Sequence, residues 1–429
     1  MIPPFFLIPS TVSRIYSSLL FTSAQNIMSS YAARCSKITS PVQIEETLLS
    51  FSDTVDHLGI LRNSTSNLPN LMNRITALKK AMGAMLHSGI ARGHIGNPAA
   101  SLRVEKLYGA PVLLSGLGAL ILSKSELDMI DHHHKETAEH LMRLHPRTPQ
   151  CVVAFLAGSL PGTALFHLRM FSIFGMICRS SDSLLHRHAI HVLISSKPSS
   201  KSWFVSLRDL SLQYNLPHPL ALLQSPPSKE SHKRLVKQHV IDYWEVNLRT
   251  KASALLSLIY FHPNYMSLSS PHPIWTTAGP SPYQVCMSTI QAIMLSGRYR
   301  TELLCSHWSE NKSGYCLAPS CKGLGKVEYL HHILASCQSL EPTRQKLRLF
   351  TSNYSQPFPY LNPLLNILHQ PSDPMFCQFL IDCSTLPNVI STNQLLGPDV
   401  LHHLFRVTRT WCFSLHKKRL ELLGRKLHR

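Results

Sequence analysis

The sequence has few acids and no long apolar run. Acidic residues number 23 against 42 lysines and arginines, which leaves a formal net charge of +19. No window reaches the roughly 18 uninterrupted apolar residues that a membrane-spanning helix needs, so no membrane partner is expected. Charged residues make up only 15% of the chain and hydrophobic residues 44%. This balance excludes a disordered basic tail and favours a folded body with excess cations on its surface.

Two further absences restrict the catalytic chemistry and the cellular compartment that can be expected. The chain has no Asp-Asp dipeptide, the commonest short signature of two-metal phosphoryl chemistry, so no catalytic Mg²⁺ site and no catalytic residue is predicted. Its 11 cysteines have no regular framework spacing, which favours a reducing compartment, nuclear or cytoplasmic, over a disulfide-stapled secreted protein. The acid-free start up to residue 44 has the composition of a mitochondrial transit peptide, although an irregular segment without targeting function is the favoured interpretation.

Hydrophobic spacing predicts a mainly α protein. Two short strands, 42–50 and 56–62, are expected to form a β-hairpin with each other. From 68 to 87 apolar residues recur at three and four, which predicts a basic amphipathic helix. A helix at 125–144 is expected to begin at a cap made of Ser125 and Asp128. Other helices are predicted at 99–122, 150–157, 162–178, 232–257 and 283–296.

Proline-rich and polar breaks divide the chain into five predicted regions. They are an irregular segment at 1–41, the hairpin and a helical bundle at 42–196, a linker with a basic helix at 197–282, a cysteine and histidine module at 283–345, and a basic helical region at 346–429.

The most specific pattern is a set of three cysteines and one histidine. Its members are Cys316, Cys321, His332 and Cys337, spaced Cys-x4-Cys-x10-His-x4-Cys. Three thiolates and one imidazole form the closed tetrahedral shell of a structural zinc site, with no open position for a catalytic water. Neighbouring glycines permit the tight turns that bring two thiolates to one ion. His331 is an alternative ligand, Cys305 with His307 is a competing pair, and a chance grouping of buried thiols is the simpler explanation.

Basic side chains concentrate at 62–106 and 406–429, and a nucleic-acid backbone is their natural counterpart. The candidate contacts are Arg74, Lys79, Lys80, Lys417, Lys418 and Arg419. Trp411 could stack on bases, but its helical spacing from Leu404 and Leu415 favours a place in the core. The Asp and His cluster at 128–140 looks like a metal site. Adjacent helix positions point about 100° apart, so His132, His133 and His134 cannot all face one ion, and a solvated helix face is favoured.

Five short sequence motifs occur in a fixed order along the chain. They are DHLGI at 56–60, LHPRTP at 144–149, LAGSLPG at 156–162 with LFHLR at 165–169, LSGRYRT at 295–301, and the cysteine and histidine set. In this order they resemble the C-terminal part of a non-LTR (LINE-type) retrotransposon reverse transcriptase. The resemblance covers about residues 35–429. No single motif is decisive, but five in the same order are hard to obtain by chance.

The resemblance implies a fold and a set of contacts. The fold would be a primer-grip hairpin, a thumb-like helical bundle, a helical connector and a small zinc-binding module that helps bind template RNA or target DNA. His57, Leu58 and Gly59 match the primer-grip motif. His57 stands where the family usually has tyrosine, so the stacking and hydroxyl contacts of that tyrosine do not carry over directly. The implied partners are an RNA or DNA backbone and the palm region of a full-length reverse transcriptase.

The family is an RNA-directed DNA polymerase, but its aromatic-x-Asp-Asp palm motif has no match in this sequence. This chain alone is therefore expected not to polymerise. The predicted function is that of a truncated reverse-transcriptase product that binds RNA or DNA. The alternative is a helical, zinc-containing protein-interaction scaffold unrelated to retroelements. A stand-alone hydrolase has weak support, because GSLPG at 158–162 places its serine one position away from a nucleophile elbow and instead predicts a turn.

Overall fold

The computed structural model describes residues 66–87, 96–181, 183–197, 199–310 and 313–425, together with the backbone of four short strands before them. Val42–Ile44 pairs with Thr47–Leu49, and Thr54–His57 pairs with Ile60–Asn63, both antiparallel. The described strands thus do not form the predicted hairpin between 42–50 and 56–62. The range 42–50 contains both strands of the first pair and 56–62 lies within the second, since a two-residue connection suffices to join antiparallel strands. Leu58, Gly59 and the His57 side chain lie outside the described residues.

The described chain is mainly α-helical, as predicted. The longer helices are Leu68–His87, Lys124–Met142, Gly162–Cys178, Leu184–Ser195, Trp203–Gln213, Lys229–Ser253, Pro282–Leu295, Glu341–Ser355, Pro387–Leu396 and Asp399–Leu422. The shorter ones are Pro98–Val104, Ala110–Leu113, Gln150–Ala157, Pro219–Gln224, Pro273–Thr276, Glu302–Ser306, Asn362–Leu365 and Phe376–Asp382. Single 3-10 or π turns occur between several of them.

Two compact units interleave along the described chain. The first unit contains residues 66–80, Ala110–Ile130 and Thr163–Val240, and the second contains Ala81–Gly109, Asp131–Gly162 and the chain from Ile241 onward. The predicted boundaries after residues 196, 282 and 345 each fall inside one unit. Linear breaks therefore do not mark the units of this fold.

Each unit has its own aromatic and aliphatic core. In the first unit Phe171 and Phe174 are buried, and the Trp203 indole N–H donates to the Gly118 carbonyl at 2.9 Å. In the second, Asp399–Leu422 packs on Pro282–Leu295 and on Phe376–Asp382. Trp411 lies on this helix with none of its surface exposed, and its indole N–H donates to Thr351 Oγ1 at 2.9 Å. Trp411 is therefore a core residue, as its spacing indicated, and is not available for base stacking.

Of two helices predicted from local sequence patterns, one has the predicted bounds and the other begins at a different cap. Leu68–His87 has the predicted bounds. Lys124–Met142 begins at a capping box two residues before the predicted one. The Ser123 N–H donates to Glu126 Oε2 at 2.7 Å, and the Glu126 N–H donates to Ser123 Oγ at 3.3 Å. Both Ser-x-x-acid patterns occur here, and the box uses the one with glutamate, whose longer side chain reaches back to the cap N–H.

The predicted helix at 99–122 was wrong in its extent. Helix Pro98–Val104 is followed by a π-helical turn, Glu105–Gly109, and then by the four-residue helix Ala110–Leu113. Pro111 supplies no N–H for a helical hydrogen bond, so it favours an early end. Gly116 then adopts a left-handed φ of 75° and turns the chain.

Within the described residues, no single helix is long and apolar enough to cross a membrane; Gln150–Ala157 and Gly162–Cys178 meet that test only when they are combined across the bend between them. Every residue from Cys151 to Ala157 is buried. This segment is therefore a core helix.

Gly158 closes helix Gln150–Ala157 as a left-handed cap with φ 56°, so GSLPG begins with a turn, as predicted. A Cβ at this position would overlap the backbone of Ser270. We expect Gly158→Ala to lower the free energy of unfolding by about 3 kcal/mol, because strain and overlap add. Urea denaturation measures this.

Gly83→Ala is the matched control for this substitution. Gly83 lies inside helix Leu68–His87, and an added Cβ meets no atom there. Alanine at this position should stabilise the protein by about 1 kcal/mol through helix propensity alone. Similar changes in both variants would contradict the role assigned to Gly158.

Candidate metal centre and basic surfaces

The four predicted metal ligands converge in the second unit, and all four are buried. Cys316 follows Tyr315, which forms an isolated antiparallel bridge with Val327. The Cys316 N–H donates to the Lys326 carbonyl at 2.8 Å, and the Cys321 N–H donates to the Ala318 carbonyl at 2.8 Å. These bonds fold the first two cysteines into adjoining turns.

The other two ligands flank one helical turn. His332 begins the π turn His332–Ser336, and Cys337 follows it. The Cys337 N–H donates to the His332 carbonyl at 2.7 Å, which holds both side chains on one side of the turn. Three glycines near the first pair, Gly314, Gly323 and Gly325, have left-handed φ angles of 75°, 82° and 63°. They provide the tight backbone that the sequence predicted.

The distances match a tetrahedral ion. The Cys321 sulfur lies 3.6 Å from His332 Nε2 and 3.8 Å from the Cys337 sulfur, and all four ligand atoms lie within 4.8 Å of one another. Zinc bonds of about 2.3 Å to sulfur and about 2.0 Å to nitrogen place tetrahedral ligand atoms about 3.8 Å (S to S) and about 3.5 Å (S to N) apart. A disulfide requires sulfur atoms about 2.0 Å apart. This cluster could therefore hold a metal such as zinc.

The structure selects between the alternative ligands. His332 contributes Nε2, while its Nδ1 lies 3.3 Å from Ser336 Oγ, a partner that can fix the ring tautomer. His331 instead stacks on Tyr329, with ring centroids 5.9 Å apart. Cys305 and His307 lie outside the cluster.

Burial controls the protonation of the ligands. It raises the pKa of the Cys316 and Cys337 thiols, and neighbouring Cys321 raises both further. Burial also lowers the pKa of His332. Without an ion, neutral thiols and a neutral imidazole are favoured. Because a coordinated thiol is deprotonated, metal binding at this cluster would release protons.

A buried arginine ties the cluster to the next helix. Arg344, on helix Glu341–Ser355, donates from Nη2 to the Cys337 carbonyl at 2.6 Å and from Nε to Glu341 Oε2 at 2.8 Å. Arg348 donates to the other Glu341 oxygen at 2.8 Å. The carboxylate thus compensates both guanidinium groups, and the pKa of Glu341 is lowered by these bonds although burial opposes the shift.

The histidine cluster on Lys124–Met142 largely matches the expected solvated face. His132 is exposed, and His133 forms an i,i+3 pair with Glu136 at 3.0 Å between Nδ1 and Oε2. His134 differs, because it is buried with Nε2 3.5 Å from Glu105 Oε1. The ligand atoms of His132, His133 and Glu136 lie within 4.8 Å of one another, and His134 is not part of that group, so the three histidines do not share one centre.

The candidate contacts in the first basic stretch, 62–106, differ in their exposure to solvent. Lys79 and Lys80 are exposed on helix Leu68–His87, whereas Arg74 is half-buried. The primer-grip match at His57, Leu58 and Gly59 lies outside the described side chains. Among the candidate contacts of this stretch, Lys79 and Lys80 are thus the ones that solvent reaches readily.

The second basic stretch requires a correction. Lys417 is exposed, and Lys418 forms a surface pair with Glu421 at 3.2 Å. Arg419 is 4% exposed, and its Nη2 donates to Glu328 Oε1 at 2.5 Å. Burial lowers the pKa of Arg419, but Tyr299 and Glu328 outweigh it and the pKa is raised. Arg419 therefore has a structural partner and is not a free phosphate contact.

Arg419→Ala is expected to destabilise the protein by about 3 kcal/mol, because it leaves the buried Glu328 carboxylate without its guanidinium. Lys417→Ala, two positions earlier on the same helix, removes an exposed charge and should change stability by less than about 0.5 kcal/mol. Thermal or urea unfolding compares the two. Equal effects would show that the buried pair contributes nothing beyond net charge.

Helix Lys229–Ser253 presents the clearest exposed basic face. Val236, Val240, Trp244 and Leu248 are buried at a four-residue spacing. Lys229, Lys233 and Lys237 form an exposed row at the same spacing, with Arg234 exposed beside it. This is the basic helix predicted within 197–282, for which no contact was predicted. We call these four residues the lysine row.

Comparison of the chain with protein-family models, with curated proteins and with solved structures finds no match.

Proposed function

We propose that this chain binds RNA or DNA through backbone phosphates and that a structural zinc ion stabilises it. The observation that carries the proposal is the lysine row. Lys229 and Lys237 are eight residues apart, or about 12 Å along a helix. One nucleic-acid strand has a phosphate about every 3.4 Å of axis, so the row spans three or four phosphates.

The energetics of the row support a polyanionic partner. Like charges at i,i+4 on a helix repel by about 0.2–0.5 kcal/mol per pair. The lysine row has two such pairs, Lys229 with Lys233 and Lys233 with Lys237. A line of phosphates along this face would turn that repulsion into attraction and release condensed counterions.

The origin we propose is the C-terminal part of a non-LTR retrotransposon reverse transcriptase, on the ordered motifs of the sequence. In that origin the zinc module and the thumb-like helices would hold nucleic acid without polymerising it. A palm region of a full-length enzyme would be a further partner. The module would act structurally, because its four protein ligands leave no open coordination position.

A protein-interaction scaffold is the second candidate, and one observation favours it. After helix Lys229–Ser253 the chain exposes Leu255, Leu256 and Ile259, of which Leu256 is 93% exposed. An apolar surface of this kind suits a protein partner. Hydrophobic association changes little with moderate salt, whereas phosphate binding falls steeply, so salt dependence separates the two candidates.

The direct test is fluorescence anisotropy with labelled RNA and DNA duplexes at about 50 mM salt, where counterion release favours binding most. We expect both duplexes to bind, with little sequence preference, and heparin to compete. Binding no stronger than in heparin-blocked samples would overturn the nucleic-acid proposal.

A further inference from the structure

A cavity of about 620 Å³ opens in the second unit, and none of the four metal ligands lines it. The residue after helix Lys124–Met142, the loop after Pro282–Leu295 and the end of Asp399–Leu422 form its wall. Five arginines line it, and none of the described residues that line it is acidic. They are Arg143, Arg298, Arg300, Arg419 and Arg425. We call this cavity the arginine cleft.

Two of the five guanidinium groups pair with carboxylates that do not line the cavity. Arg419 pairs with Glu328, and Arg425 donates to Glu302 Oε1 at 2.7 Å. Arg143, Arg298 and Arg300 have no carboxylate partner among the described residues. Buried Arg298 Nε also has no hydrogen-bond partner there. The cleft thus has more positive charge than the protein itself compensates.

Arg143 is held in a strained conformation. Its φ is 56°, in the left-handed region, at the end of helix Lys124–Met142. The Leu144 N–H donates to the Glu139 carbonyl at 2.9 Å and the Arg143 N–H to the His140 carbonyl at 3.2 Å, which is the Schellman pattern. Glycine normally occupies this position because it has no Cβ penalty. An arginine here retains strain at a cavity wall, as functional sites often do.

Another part of the wall is apolar. Leu144, Ile290, Ile293 and Leu420 face the same cavity. Its volume lies within the range of about 300–1,000 Å³ typical of small-molecule sites and exceeds what a bare phosphate would fill. Guanidinium groups match phosphate oxygens through paired hydrogen bonds, and apolar walls suit a planar base.

We propose that the arginine cleft binds a phosphate-bearing nucleotide unit, with Arg143, Arg298 and Arg300 on the phosphate and the apolar wall against the base. This inference rests on the proposed nucleic-acid function and adds a specific site to it. The unit is a free nucleotide or a nucleotide of a strand.

The histidines of the cleft are consistent with its positive potential. Burial lowers the pKa of His145, and Arg300, Arg298 and Arg147 lower it further. Burial and Arg419 lower the pKa of His416 to about 4, and the Tyr299 hydroxyl lies 2.8 Å from His416 Nδ1. His416 is therefore neutral near pH 7, and the arginines supply the positive charge of the cleft.

Isothermal titration with AMP tests the site. The double variant Arg298→Gln/Arg300→Gln should bind AMP at least about tenfold more weakly, because a hydrogen bond to a charged group contributes enough for that factor. Arg187→Gln, at an exposed position of the first unit, removes one charge elsewhere and should leave AMP affinity unchanged. AMP should also protect Cys286, which lines the cleft, from alkylation.

Arg143→Gly separates a binding role from a structural one. Glycine relieves the left-handed strain, so the melting temperature should rise while AMP affinity falls. A lower melting temperature with unchanged affinity would overturn the assignment of Arg143.

Other ligands complete the test. Inorganic phosphate that binds as tightly as AMP, or a phosphoserine peptide that binds more tightly, would overturn the nucleotide proposal. A 5′-phosphorylated oligonucleotide that outcompetes AMP supports it and identifies a strand as the source. If duplexes bind and AMP does not, this inference alone fails; if AMP binds and duplexes do not, the proposed function fails.

Discussion

Cys337→Ser is expected to release the metal and unfold the segment around it. Purified protein should hold about one equivalent of zinc per chain, and the variant almost none, because serine does not replace a thiolate ligand. Zinc binding by small modules contributes about 10–16 kcal/mol, so its loss is larger than any single packing defect in this chain. Metal analysis and amide hydrogen exchange over residues 313–345 measure the two effects.

Cys305→Ser is the matched control. Cys305 is a half-buried thiol in the same unit and lies outside the cluster. This variant should keep its zinc and its exchange protection. Wild-type protein that holds no metal under reducing conditions would refute the zinc site, and a Cys305→Ser variant that also loses metal would show that the ligand set is wrong.

Local patterns predicted about half of the longer helices, because each of these buries one stripe of side chains. Helix Leu68–His87 could be predicted from the spacing of Leu71, Ile75 and Leu78, all now buried. The helix predicted at 99–122 failed, because the apolar spacing continues through a stretch where Pro111 removes a hydrogen bond. The two interleaved units could not be predicted, because contacts distant in sequence define them.

The candidate sites likewise contain residues that local sequence patterns can predict and residues that they cannot. The metal ligands lie within about twenty residues, so spacing and turn glycines sufficed to find them. Arg419 was misassigned, although a local signal existed: it lies four residues after Leu415 and eight after Trp411, both buried, and therefore on the core side of the helix. No such signal exists for the arginine cleft, because Arg143 and Arg298 are far apart in sequence.

Nucleic-acid affinity is expected to fall by roughly a thousandfold between about 50 and 200 mM salt, if about six phosphates are neutralised. Each neutralised phosphate contributes about 0.9 to the slope of log affinity against log salt. The triple variant Lys233→Gln/Arg234→Gln/Lys237→Gln should therefore lower the slope by about 2.7. Lys417→Gln/Lys418→Gln should lower it less, because Lys418 already pairs with Glu421.

A charge-matched variant decides whether the lysine row is the interface. Arg187→Gln/Lys197→Gln/Lys201→Gln removes three exposed cations from other positions of the first unit. Specific contact predicts that only the lysine-row variant lowers the slope by the full amount of about 2.7. Charges beyond a Debye length of about 10 Å are screened at 0.1 M salt. Equal losses in both variants would show diffuse attraction by the net charge of +19. Affinity that does not respond to salt would instead favour a protein partner at the exposed apolar segment around Leu256.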